Sequence, residues 1–176
     1  MRILLGITGS IAAYRSAELC SLARKRGHDL RVVMTPSATK LVGPTTFEAL
    51  TDHPVLLDTF TGVSSTMDHI TWAKWAERGV IAPLSANSLG KLACGLADDA
   101  LHTTWMALPR GVPALLAPAM NTEMWLHPVV QRNLRWLEEL GRYQLVAPVE
   151  KRLACGDVGV GGMAEPADIL AALEKE

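Results

Sequence analysis

The run RILLGITGS, residues 2–10, joins a strand-like stretch to a glycine and a serine. Ile3, Leu4, Leu5 and Ile7 are apolar at successive positions rather than at alternate ones. A strand written that way has no solvent face, so it belongs in a sheet covered on both sides. Gly9-Ser10 then opens a helix to about Arg26, with Ser10 placed to cap it and Gly27 placed to end it. The same phrase recurs down the chain. Asp29–Thr35 (DLRVVMT), Gly79–Leu84 (GVIAPL), Pro113–Ala117 (PALLA) and Tyr143–Ala147 (YQLVA) read as further strands. Helices are expected from Pro36 to Val42 and over Thr45–Leu50, where Thr45 and Glu48 have the spacing of a capping box. Others are expected from Asp68-His69 to Glu77, over Ser85–Leu96, Asp98–Leu108 and Pro128–Leu140, and from Pro166 onward. Residues 52–68 read as loop with an extended piece at Val55–Leu57, and residues 148–165 as glycine-rich loop. Short apolar strands alternating with helices predict a single α/β domain: a doubly wound parallel sheet with helices on both faces.

Composition narrows the function classes. The chain has 176 residues, 17 Lys+Arg against 18 Asp+Glu, and 49% hydrophobic residues. The length suits one domain with a real core. A formal net charge of -1 offers no bulk attraction to nucleic acid. No apolar stretch approaches the ~18 residues that span a bilayer, and Met1–Gly6 lacks the form of a signal segment. Neither a nucleic-acid partner nor a membrane is expected. Cys20, Cys94 and Cys155 are odd in number and none sits in a C-x-x-C pair. Neither a disulfide framework nor a metal site is expected, and a reducing cytoplasm fits best.

In a doubly wound sheet, ligands bind beyond the carboxyl ends of the strands. Thr8-Gly9-Ser10-Ile11-Ala12 follows the first apolar run. Main-chain N–H groups there can hold a phosphate, or the segment is an ordinary capped turn. It is not G-x-G-x-x-G, and Thr35 stands where a dinucleotide fold places an acidic residue. Ser85-Ala86-Asn87-Ser88 offers hydroxyl and amide groups at another helix start, either to a ligand or only as a cap. The two together suit a mononucleotide. His69 has the imidazole that moves protons near neutrality, though a lone histidine is also a common structural residue. Cys94, in LGKLACGLA, reads as a small buried hydrophobe, as does Cys20. Cys155 follows Lys151 and Arg152 and precedes four glycines at 156, 159, 161 and 162. Cations favour a thiolate and glycines a mobile lid, or the thiol is incidental to a surface loop.

Six motifs in order carry a resemblance: GSIAA at Gly9–Ala13, TFEALT at Thr46–Thr51, His69-Ile70, APLSANSLGK at Ala82–Lys91, APAMNTEMW at Ala117–Trp125 and KRLACGDVGVGGMAEP at Lys151–Pro166. They span nearly the whole chain, which resembles the flavin-dependent cysteine decarboxylases, nearest to members acting on phosphopantothenoylcysteine. The resemblance implies a flavodoxin- or Rossmann-like fold and FMN bound between subunits of a homotrimer, stacked in some members into a dodecamer. It implies flavin contacts at Gly9, Ser10, Ile11, Thr35, Ser37, Ser85, Ala86, Asn87 and Ser88. Ala119, Asn121 and Met124 match substrate-binding positions, His69 the active-site histidine and Cys155 the cysteine of a flexible flap. The implied reaction oxidises the cysteine moiety to a thioaldehyde, releases CO2 to leave an ene-thiolate, and returns the electrons while Cys155 donates a proton. Lys74 also matches a substrate-binding position, where the sequence departs from the family: arginine is usual there, and lysine keeps the charge but not the bidentate fork. A second departure is Gly162, where many bacterial members have arginine. Many bacterial members also carry a ligase domain, which residues 1–176 leave no room for. Peptidyl-cysteine decarboxylases and flavin prenyltransferases share the fold, and some relatives regulate phosphatases without catalysis. The pairing of PAMNTEM with ACGD favours the phosphopantothenoylcysteine branch.

Overall fold

The computed structural model describes residues 1–60, 67–152, 156 and 158–175. Six parallel strands form one sheet: β1 (Arg2–Ile7), β2 (Asp29–Met34), β3 (Val55–Leu56), β4 (Arg78–Leu84), β5 (Ala114–Pro118) and β6 (Tyr143–Leu145). Their order is β3-β2-β1-β4-β5-β6, so the winding reverses between β1 and β4. That reversal opens the crevice in which ligands of such sheets sit. The helices are α1 (Arg15–Lys25), α2 (Pro44–Thr51), α3 (Asp68–Trp75), α4 (Ala86–Cys94), α5 (Ala100–Met106), α6 (Thr122–Leu126), α7 (Pro128–Glu139) and α8 (Pro166–Leu173).

The unbroken apolar runs are explained by two cores. Ile3, Leu5 and Ile7 of β1 enter one core with Leu19, Phe47, Ile169 and Leu170, under α1, α2 and α8. Leu4 points the other way and joins Ile81, Leu101, Trp105, Leu134 and Leu137, under α5 and α7. The period of two thus survives inside a wholly apolar strand, each face meeting its own helices. Gly6 and Gly79 make room on the second face: a Cβ at either would stand 3.2 Å from the Trp105 ring.

Four local expectations are corrected. Thr45 does not cap α2. Pro44 takes the first helical position, where its missing N–H costs nothing, and Gly43 becomes the N-cap. Residues 148–165 are not plain loop. They contain an antiparallel pair, β7 (Val149–Arg152) and β8 (Val158–Gly162). Cys94 is exposed rather than buried, at the end of α4, whereas Cys20 is buried, with its thiol pushed up to about 12 by that burial. The helix expected from Pro36 to Val42 shortens to a 3-10 turn at Ala38–Lys40.

Candidate active site

Thr8 builds the crevice. It is fully buried just beyond β1, and its hydroxyl donates to the Pro83 carbonyl at 2.8 Å. The same oxygen accepts the main-chain N–H of Ser85 at 2.8 Å. One side chain therefore ties the ends of β1 and β4 across the reversal. Two helix starts are brought side by side as a result. Ser10 caps the 3-10 turn Ile11–Tyr14 that leads into α1, accepting from Ala12 N–H, and Ser85 caps α4, accepting from Ser88 N–H. Gly9 passes so close to the β2 end that a Cβ would stand 2.6 Å from Ser37 Cβ. Thr35 is buried and spends its hydroxyl on the N–H of Ala38.

The opposite wall grows from β5. Ala119 N–H donates to the Leu84 carbonyl at 3.0 Å, which keeps the PAMN segment beside the β4 end. Asn121 caps α6 through its Oδ1, which accepts the N–H of Glu123 at 2.8 Å. The β7–β8 hairpin lies against this wall, and its glycines are the reason it can. A Cβ at Gly161, whose φ is +150°, would fall 2.2 Å from the Met120 carbonyl, and one at Gly159 would fall 2.4 Å from Thr122 Oγ1. Met120 N–H donates to the Gly161 carbonyl at 2.9 Å and secures the contact. Lys151 lies across Gly162, where a Cβ would approach its side chain to 2.2 Å.

Between these walls is a cleft of about 580 Å³. Gly9, Ser10, Ile11, Ser85, Ala86, Ala119, Asn121 and Met124 line it. Of the other expected flavin contacts, Thr35 and Ser37 stand behind Gly9, Ser88 is buried and Asn87 is exposed, and none lines the cleft. His69 and Lys74 lie on α3 and do not line it either. His69 Nδ1 is buried with no hydrogen-bond partner among the described residues, and Lys74 is exposed. Cys155 falls outside the described residues. Sequence reading missed Thr8 and Arg15. The available signals were a buried-strand threonine before the glycine and a cation one turn beyond it.

The lining suits a flat heterocycle that carries a phosphate. Gly9 and Ser10 line the cleft at the turn before the Ile11–Tyr14 helix start, and Ile11, 61% exposed, and Met124, 48% exposed, offer apolar faces beside them. Cations supply the rest of the character. Arg15 donates to the Met163 carbonyl at 3.2 Å and pairs with Glu165. Away from the cleft, Asp99 caps α5 and also accepts from the His102 ring at 2.7 Å and from Lys91 at 3.3 Å. Burial raises the Asp99 pKa, but the His102 hydrogen bonds, the His102 charge and Lys91 outweigh it and hold the carboxyl at about 2.

Known proteins resemble the chain in sequence and in fold. The Bacillus subtilis (strain 168) coenzyme A biosynthesis bifunctional protein CoaBC is 44% identical over 174 residues, 98% of this chain and 42% of that protein. The chain thus spans less than half the length of that relative. A solved cysteine-to-serine mutant of PPC decarboxylase, complexed with pantothenoylaminoethenethiol, superposes with a TM-score of 0.87 at 38% identity, covering 97% of this chain and 94% of that one. The FMN binding protein AtHal3 superposes with a TM-score of 0.83 at 38% identity, covering 97% and 93%. A family model described as Flavoprotein matches residues 1–176, the whole stretch that builds the sheet and the cleft, and the chain belongs to the Flavoprotein family.

Proposed function

We propose that the chain is an FMN-dependent carboxy-lyase that converts 4'-phosphopantothenoylcysteine to 4'-phosphopantetheine in coenzyme A biosynthesis. One observation carries the proposal: Thr8 clamps the ends of β1 and β4, so two capped helix starts and the Ala119–Met124 segment face one cleft. The names of the similar proteins supply the substrate and the cofactor that fit it.

FMN would be held by Gly9, Ser10 and Ile11 on one side and Ser85 and Ala86 on the other, and would supply the oxidation of the cysteinyl moiety and its reversal. Oxidation matters because a simple carboxylate has nowhere to leave its electron pair, whereas a thiocarbonyl β to it takes the charge onto sulfur. Asn121 and Met124 orient the cysteinyl end of the substrate. His69 holds the carboxylate or takes the thiol proton, with the unpartnered Nδ1 as the available ring atom. Cys155, in the segment between β7 and β8, returns a proton to the product carbon. Because His69 and Lys74 stand off the cleft of their own chain, we place the complete site between neighbouring subunits of a homotrimer or dodecamer. Cys20 and Cys94 are free thiols, which supports a cytoplasmic setting.

The test follows the carboxyl carbon. FMN-loaded protein is incubated with phosphopantothenoylcysteine labelled there with carbon-13, beside a peptide ending in cysteine. Labelled CO2 from the small substrate is the expected result. Release from the peptide alone would reassign the protein to peptide modification.

A further inference from the structure

Among the described residues, Arg15, Lys151 and Arg152 are the only cationic side chains lining the cleft, and they gather at its hairpin end. Their bonding leaves positive charge in excess. The Met163 carbonyl accepts both the Arg15 guanidinium, at 3.2 Å, and the Lys151 ammonium, at 3.4 Å. Glu165 is the only carboxylate bonded to any of the three among the described residues, and it pairs with Arg15. Lys151 is held in place by packing rather than by an anion, its methylenes lying along Gly162. Burial and the neighbouring Arg15 charge lower its pKa, and Glu165 only partly offsets them. A cation so placed, without a counter-ion of its own, is a site prepared for an anion.

The proposed reaction brings two anionic groups on one substrate. The carboxylate is provided for by Asn121 and His69, and the flavin phosphate by the helix starts at Ser10 and Ser85. The substrate's terminal phosphate has no partner among those residues. We propose that Arg15, Lys151 and Arg152 form a subsite for a phosphate monoester and make the protein select the phosphorylated substrate over its dephosphorylated form. The inference rests on the function proposed above.

The test uses the FMN-loaded protein and two ligands that differ only in the phosphate, 4'-phosphopantetheine and pantetheine, in a calorimetric titration. Wild-type protein is expected to bind the phosphorylated ligand at least about tenfold more tightly, a charge-assisted contact's worth. Lys151→Met keeps the methylenes against Gly162 and removes the charge, and it should bring the ratio toward one. Lys151→Arg should restore much of the preference, and Arg152→Gln, at an exposed position, should lower it without touching the hairpin base. Equal affinities in wild-type protein, or an unchanged ratio in both charge-removing variants, would overturn the subsite. So would loosened FMN at an unchanged ratio, because the phosphate held there would then be the flavin's. Decarboxylation is assayed separately. If wild-type protein releases no CO2, the proposed reaction fails, while the binding ratio still decides the subsite.

Discussion

Asp99 shows how much one residue carries away from the cleft. It caps α5, bonds the His102 ring and meets Lys91, and its pKa is held at about 2 against an ordinary 3.8. A carboxyl whose folded pKa is depressed stabilises the fold fully above its unfolded value and loses that contribution as pH falls through the folded one. The window is therefore about pH 4 down to about pH 2. Asp99→Asn retains an oxygen for the cap but cannot ionise. Urea midpoints should differ between the two proteins near neutrality and converge on acidification through that window. Curves that stay parallel would remove Asp99 from the acid response. At the same scale, the cysteines mark what a sequence conceals. Cys20 and Cys94 both sit in apolar helical text, yet only Cys20 is buried; Cys94, the last residue of α4, is exposed in a surface pocket beside Arg132, Arg135 and Trp136 of α7.

At the scale of elements, the strands were legible and the hairpin was not. β1, β4 and β5 announce themselves because burial on both faces demands continuous apolar text, and β2 does so from Val32 to Met34. VEKR and VGVGG carry neither continuous nor alternating hydrophobicity, since that hairpin packs through glycine against main chain at Met120. The start of α2 was misread because Pro44 displaces the cap to Gly43. Gly9-Ser10 and Ser85–Ser88 were legible from the residues alone as helix starts beyond strand ends, and Gly9, Ser10, Ser85 and Ala86 line the cleft, but what joins them was not, because nothing local marks Thr8 as a cross-link. Thr8→Val keeps the shape and removes the hydroxyl. It leaves the part-buried N–H of Ser85 without its acceptor, at a cost of ~1 kcal/mol. We expect a lower midpoint of thermal unfolding and weaker FMN binding together, both recovered in Thr8→Ser. Normal FMN affinity in Thr8→Val would show that the two helix starts hold their spacing without it.

At the scale of the whole molecule, a single chain leaves His69 and Lys74 away from the cleft that Gly9, Ser10, Ile11, Ser85, Ala86, Ala119, Asn121 and Met124 line. Their roles came from the resemblance, and no residue-level argument would have chosen His69 among five histidines. If neighbouring subunits complete each site, two inactive variants should rescue one another. His69→Asn and Asn121→Asp, each inactive alone, are co-expressed and the mixed assemblies purified. With random mixing about a quarter of the shared sites unite two intact halves, and activity should return to roughly that fraction. No recovery in demonstrably mixed assemblies would put His69 and Asn121 to work within one chain. The proposed reaction depends on the electrons being returned to the product. The decisive quantity is the mass of the product formed from phosphopantothenoylcysteine by the FMN-loaded protein without added reductant. Loss of CO2 alone is predicted, matching 4'-phosphopantetheine; loss of CO2 and two hydrogens, or an unchanged substrate, would contradict it.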